Sequence, residues 1–277
     1  MSRASNEVPT YSPAAGPIAP GAIRTAATSL ETVRTSISSG GIDMPVYCAR
    51  PKDRSHLPVV IVISEAFGLH EHIEDIARRF AREGYLAVAP DLMKRQGDPL
   101  AFDEVGALVR DLLVKIPDGQ VMGDLDACLD WAASQGGDLD RTVATGFCWG
   151  GRWTWLYAAH RALAAAVVWY GIVDGRSSGL FPDDPRLFSA HPVDIAGDLK
   201  TPVLGLYGGQ DEAIPLATID FMRARLADGS EAARSSDIHV YPDAGHAFFA
   251  DYRGSYQPEA ALDGWKRCLA WFQQRIA

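Results

Sequence analysis

Along this chain, short apolar runs alternate with segments whose apolar positions recur every three or four residues. Val59 to Ser64 is apolar as a strand covered on both faces must be, and Ile73 to Glu83 then sets Ile73, Ile76, Ala77 and Phe80 on one helical face. Tyr85 to Ala89 reads as a second buried strand. Asp103 to Lys115 and Val121 to Ser134 read as helices, and Arg141 to Thr145 as a strand leading into a helix over Gly151 to His160. Further strands follow near Ala165 to Tyr170, Val203 to Tyr207 and Ile238 to Tyr241, with helices over Leu216 to Ala227 and Glu259 to Arg275. Such β-then-α alternation predicts an α/β fold: one mostly parallel, doubly wound sheet with helices on both faces.

Ahead of that series, Val33 to Ser39 and Asp43 to Arg50 flank Gly40-Gly41 and read as an antiparallel hairpin of two edge strands. Before the hairpin, Pro9, Pro13, Pro17 and Pro20 stand among small and polar residues with no apolar period. Residues 1–32 are therefore expected to be an arm or a disordered tail, and 33–277 a single domain.

With 47% apolar and 22% charged residues, the 277-residue chain can bury a substantial core. Its formal charge of -9 has the wrong sign for general binding to nucleic acid or anionic lipid. No apolar run approaches the ~18 residues of a membrane span, and the N-terminus lacks the pattern of a secretory signal. Cysteines 48, 128, 148 and 268 show no metal-binding or disulfide spacing. Free thiols in a cytoplasmic protein are the expectation.

The sharpest chemical feature is Gly146-Phe147-Cys148-Trp149-Gly150-Gly151, placed between a predicted strand and a predicted helix. Such a turn lifts its central side chain to a crest and needs glycine two residues to either side, where a Cβ would strike backbone. Cys148 occupies the crest. The other three cysteines fall on apolar helix faces or within a strand and read as packing residues. Gly175-Arg176-Ser177-Ser178-Gly179 also fits a serine-elbow pattern, but Pro182 and Pro185 follow too soon for a helix, so it reads as a polar loop.

A cysteine nucleophile needs a base, because the thiolate is the attacking species. His246 and Asp211 each follow a predicted strand, where catalytic groups collect in open α/β sheets, and the order Cys148, Asp211, His246 is that of an α/β-hydrolase triad. Glu65 terminates a buried strand and needs a partner: either a structural ion pair with a nearby arginine or a place beside the thiol, tuning its ionisation. His70, Glu71, His72 and Asp75 match no metal motif and read as a loop entering a helix.

Four blocks carry a resemblance: Ser64-Glu65-Ala66-Phe67-Gly68, Ala89 to Arg95, Gly146 to Gly151, and Gly208-Gly209-Gln210-Asp211 with Gly245-His246-Ala247-Phe248. Through them the chain resembles the dienelactone hydrolases, or carboxymethylenebutenolidases, cysteine members of the α/β-hydrolase fold, over about 245 of its 277 residues. The resemblance implies Cys148 as nucleophile, His246 as base and proton donor, Asp211 as its orienter, and Glu65 as the carboxylate that meets the resting cysteine. It also implies an oxyanion hole from the backbone N–H groups of Trp149 and Ala66. Arg95 matches one of two arginines that hold a substrate carboxylate; the other position is Ala250, which leaves Arg253 or Arg152 to substitute. Phe67, Trp149, Trp153 and Tyr170 are expected to wall the pocket.

The expected activity is opening of a lactone or cleavage of a small carboxylic ester through an acyl-enzyme, with no cofactor or metal. The small-molecule substrate is the expected partner, with a homodimer left open. Two alternatives stay in play: a non-catalytic or redox-sensing protein of the same fold, and a hydrolase of another ester or thioester class.

Overall fold

The computed structural model describes residues 10–178, 184 and 186–277. Strands β1 (Leu30–Ser39) and β2 (Ile42–Pro51) form the expected hairpin, turning on Gly40 and Gly41, whose φ angles of 52° and 82° suit a tight hairpin turn. Of these two strands, β1 alone lies at the sheet edge. β2 also pairs antiparallel with β4, which draws it into the sheet and buries its second half.

The rest of the sheet is β3 (Leu57–Ile63), β4 (Leu86–Pro90), β5 (Gly137–Phe147), β6 (Ala165–Trp169), β7 (Val203–Gly208) and β8 (Asp237–Tyr241), in the order β1-β2-β4-β3-β5-β6-β7-β8 and parallel from β4 onward. Helices α1 (Glu71–Arg82), α2 (Val105–Asp111), α3 (Asp118–Ser134) and α4 (Trp149–His160) are followed by short α5 (Gly175–Ser178) and α6 (Pro192–Ile195), then α7 (Leu216–Ala227), short α8 (Glu231–Arg234) and α9 (Pro258–Ile276). From β3 the chain crosses to β4, then returns past β3 to β5. Right-handed crossovers in opposite directions place α1 and α3 on opposite faces. α9 joins α1, where Phe80 packs on Trp265 at 4.6 Å, and α4 joins α3 through the Tyr157 hydroxyl on Asp126 at 2.9 Å. Doubly wound sheets bind ligands at such a reversal, which here lies beyond the carboxyl ends of β3 and β5. Among the described residues no helix is long and apolar enough to cross a membrane.

Two local expectations change. The helix expected over Asp103 to Lys115 is broken into α2 and a 3-10 turn at Leu113–Lys115. Leu112 leaves helical geometry (φ -128°, ψ -62°), and both it and Leu113 turn into the core. Gly175 to Ser178 forms one helical turn instead of a loop; the Asp174 carboxylate accepts the Arg176 amide at 3.1 Å and starts it, and the prolines restrict only the chain beyond that turn. Ser177 and Ser178 have no described side chains, and Gly179, Pro182 and Pro185 lie outside the described residues.

Residues 10–29 lie against the body. Their backbone amides find fixed acceptors: Ala14 on the Phe102 carbonyl, Ala19 on the Tyr252 carbonyl at 2.8 Å, Ile23 on Asp251 at 3.2 Å and Thr25 on Asp75 at 2.5 Å. This explains how a segment without apolar periodicity stays ordered.

The close approach of α4 to β3 rests on Gly150, where a Cβ would overlap the carbonyls of Ile63 and Ser64. Gly123, exposed in the middle of α3, has open space around it. In urea unfolding, Gly150→Ala is expected to destabilise by about 1–3 kcal/mol or more. Gly123→Ala is expected to stabilise by about 0.5–1 kcal/mol. Equal effects of one sign would contradict this account of the packing.

Candidate active site

Cys148 links the end of β5 to the start of α4 with φ 52° and ψ -113°, a strained conformation for a residue with a Cβ. The strain is held from both sides. A Cβ at Gly146 would strike the Gly150 carbonyl and the Thr154 hydroxyl, and the Cys148 amide is fixed on the Trp169 carbonyl at 2.9 Å. The thiol is half-buried, whereas the other three cysteines are buried in apolar surroundings. At the first position of α4 the Trp149 amide has no intrahelical acceptor. The Ala66 amide, just past β3, donates to no acceptor among the described residues. Both are available to an incoming oxyanion.

His246 Nε2 lies 3.1 Å from Cys148 Sγ, and its Nδ1 lies 2.7 Å from Asp211 Oδ2. The loops after β7 and β8 carry these two residues and interlock: the Gly209 amide bonds the Tyr241 carbonyl and the Gln210 amide the Ala244 carbonyl, both at 2.8 Å. Gly208 and Gly209 permit the approach, since a Cβ on either would overlap the facing loop backbone. Burial disfavours an imidazolium at His246, but the Cys148 sulfur and the Asp211 carboxylate outweigh it and push the ring up to about 10. His246 thus stands within proton-transfer reach of both Cys148 and Asp211.

Glu65 departs from expectation. Extending the β3–β5 register beyond Ile63 and Gly146 brings it level with Cys148, yet its carboxylate turns to the Tyr252 hydroxyl and to His70 Nε2, the latter at 3.2 Å. Among the described residues it therefore neither bonds the resting thiol nor pairs with an arginine. Burial opposes its charge, but these hydrogen bonds and the neighbouring imidazoles hold the carboxyl down at about 2. Burial lowers His70, so the ring is a neutral donor to Glu65. From there a network runs outward. His72 approaches Asp251 at 3.5 Å, Arg79 bridges Asp251 and Asp75, and Tyr11 of the N-terminal segment stacks on Tyr252 at 5.2 Å. His70 and His72 thus serve this network, and among the described residues no group of three or more His, Cys, Asp or Glu could hold a metal.

The arginines separate. Arg95 bonds both oxygens of Asp124 and the Ser39 carbonyl, tying the β1–β2 turn to α3, so its guanidinium is occupied away from the thiol's partners. Arg152 is fully buried on Asp118 and the Ala190 carbonyl. Arg253 lies over the Phe67 ring at 5.2 Å, and among the described residues its guanidinium makes no hydrogen bond or ion pair. Ala250 is buried. Trp149 and Trp153 pack edge to face at 5.4 Å, and Tyr170 sets its ring edge-on to His246 at 5.2 Å. The sequence reading missed Tyr252 and His70 as partners of Glu65. His70 stood five residues beyond it in the same loop, and Tyr252 six beyond His246.

The model of the dienelactone hydrolase family matches residues 44–276. Two curated relatives named "Putative carboxymethylenebutenolidase", from Salmonella typhimurium and Escherichia coli K12, are 53% and 52% identical over 266 residues; the match covers 95% of this chain and 95% and 94% of theirs. A crystal structure described as a "Putative Dienelactone Hydrolase" from Klebsiella pneumoniae superposes with a TM-score of 0.82 at 52% identity, over 88% of this chain and 99% of that one. The Pyrococcus horikoshii acylaminoacyl peptidase, 16% identical with a TM-score of 0.70 over 89% of this chain and 42% of its own, shares the fold.

Because the Glu65 carboxyl is depressed in the folded protein, its stabilising contribution is complete above the ordinary carboxyl value of about 4.5 and is lost as pH falls toward about 2. Urea midpoints measured from pH 7 to 2 are expected to show a smaller acid loss for Glu65→Gln than for the wild type. Parallel curves would contradict the Tyr252–Glu65–His70 arrangement.

Proposed function

The chain belongs to the dienelactone hydrolase family, and from that premise we propose that it opens lactones or cleaves small carboxylic esters with Cys148 as nucleophile. The observation that carries this reading is the continuous line from Sγ to imidazole to carboxylate, 3.1 Å and then 2.7 Å. Cys148 attacks the ester carbonyl as the thiolate, and the carbonyl electrons move onto an oxyanion received by the Trp149 and Ala66 amides. As the tetrahedral adduct collapses, the C–O bond breaks and His246 Nε2–H protonates the departing oxygen, leaving a thioester on Cys148. The now neutral His246 takes a proton from water; the hydroxide adds to the thioester, the thiolate leaves, and the acid is released. Asp211 fixes the tautomer and stabilises the imidazolium in both halves.

Arg253 is the cation available to an anionic acyl group. It lies over the Phe67 ring, just past β3, and its positive charge acts on the Tyr170 and Tyr252 phenols. Arg95 is instead a structural clasp for the hairpin.

Intact-mass measurement on activated esters and enol lactones is expected to show an acyl adduct on the wild type and none on Cys148→Ala, with turnover lost in that variant. Asp211→Asn is expected to reduce kcat on the order of 10⁴-fold. An adduct or undiminished turnover without the thiol would refute the nucleophile; a peroxide-induced mass shift with no acyl adduct would favour a redox sensor. Across paired anionic and neutral esters, Arg253→Ala is expected to abolish any preference for the anion, while Arg95→Ala lowers Tm and leaves the preference intact. The reverse result would return the carboxylate site to Arg95.

A further inference from the structure

We propose that Tyr170 is a further catalytic residue, its hydroxyl donating a hydrogen bond to an oxygen of the reacting ester group while that group is bonded to Cys148. The inference rests on the nucleophile assignment above and adds to it a side-chain donor beside the two backbone amides.

Four observations converge on this hydroxyl. Tyr170 follows directly on β6, whose last residue, Trp169, pairs with Phe147 and receives the Cys148 amide on its carbonyl; Tyr170 therefore stands level with the nucleophile on the side opposite Glu65. Its φ is 40°, in the left-handed region that bulky side chains avoid, while its own amide remains anchored on the Leu206 carbonyl at 2.8 Å. The kink thus redirects the side chain without releasing the strand, and residues held in such conformations cluster at functional sites. The ring packs edge-on against the His246 imidazole at 5.2 Å and against Phe248 at 5.3 Å, so it has little freedom to move aside.

The fourth observation concerns the oxygen itself. Tyr170 is fully buried, yet among the described residues its hydroxyl has no hydrogen-bond partner. Phenylalanine would fill the same space without stranding a polar group, so the hydroxyl adds a cost to folding that packing alone does not explain. Burial, then the negative charge of Glu65 and Cys148, raises the phenol well above its ordinary value, so the proton stays on oxygen. The result is a neutral donor on a residue that stands level with Cys148 and whose ring is held against His246, with Glu65 already engaged by Tyr252 and His70. Donors poised where charge develops, and unsatisfied beforehand, stabilise a tetrahedral adduct more than the ground state.

Tyr170→Phe tests this by kinetics and melting together. The expected result is a fall in kcat of about 10–100-fold with KM changed less than about threefold, and a Tm equal to or above that of the wild type. Across esters of graded leaving-group acidity, a loss that is constant assigns the bond to the carbonyl oxygen. A loss that grows for poorer leaving groups assigns it to the departing oxygen. A kcat within twofold of the wild type, where the wild type still forms the Cys148 adduct, would overturn this proposal alone. A lowered Tm accompanying the rate loss would likewise overturn it in favour of a packing role. Failure of the wild type to form any Cys148-dependent adduct would remove the nucleophile and this inference with it.

Discussion

The backbone at Cys148 is the constraint on which the site depends. A single residue held at φ 52° turns the chain from β5 into α4 within one step, and this is possible only because backbones touch on each side of it. Gly150 lies against the end of β3, Gly151 against Gly171 beyond β6, and Gly146 against the first turn of α4. Those contacts fix the spacing between the ends of three neighbouring strands. Glu65, Cys148 and Tyr170 consequently stand in a row, and the residues beyond β7 and β8 need only reach inward to complete the arrangement. Backbone strain of this kind costs on the order of 1–3 kcal/mol, and the surrounding sheet supplies the restraint that maintains it.

Two histidine–carboxylate pairs sit within this frame, and their opposite charge states arise from their surroundings. His246 has an acceptor on each ring nitrogen, Asp211 on one side and the sulfur on the other, and its side chain retains 28% exposure. The proton is therefore stabilised and the ring is raised to about 10. His70 has Glu65 on Nε2, no partner on Nδ1 among the described residues, and no exposure, so burial prevails and the ring is lowered. One imidazole can carry a proton, as the proposed reaction requires. The other can only donate a bond, which keeps Glu65 pointed at Tyr252 and away from the thiol. Chemically similar pairs thus acquire different roles through the count of acceptors and access to water.

The elbow was legible in the sequence because its requirements are local: a reactive side chain, glycines two residues to either side, and a strand-to-helix transition. His246 and Asp211 were legible because strand ends in a parallel sheet converge on one edge. The helix at Leu216–Ala227 appeared with its predicted bounds, since Pro215 fixes its start and Gly229 lies just past its end. The partners of Glu65 and Arg95 were not legible. Tyr252 and Asp124 meet them through tertiary contacts that leave no periodic trace, and His70 meets Glu65 through an irregular loop whose turn no periodicity marks. The ordered course of residues 10–29 was hidden for the same reason, being set by Asp75 and Asp251, which lie 50 residues beyond Thr25 and 228 beyond Ile23 along the chain. Local chemistry announces itself in sequence, whereas the identity of a charge's partner is a property of the fold.

The distribution of arginines carries the last step. Arg79, Arg95 and Arg152 are each committed to buried carboxylates, where removing one partner would strand the other charge. Their guanidinium groups are unavailable to a substrate without breaking the structure. In the proposed reaction this leaves Arg253, stacked on Phe67, as one cation facing a site that already contains the Glu65 carboxylate and a reactive sulfur. A single guanidinium with an aromatic beneath it can orient a carboxylate but cannot enclose it from two sides. On the proposed reading, selection among esters then shifts from charge toward shape, and toward how well the carbonyl reaches the Trp149 and Ala66 amides with the acyl group against Phe67.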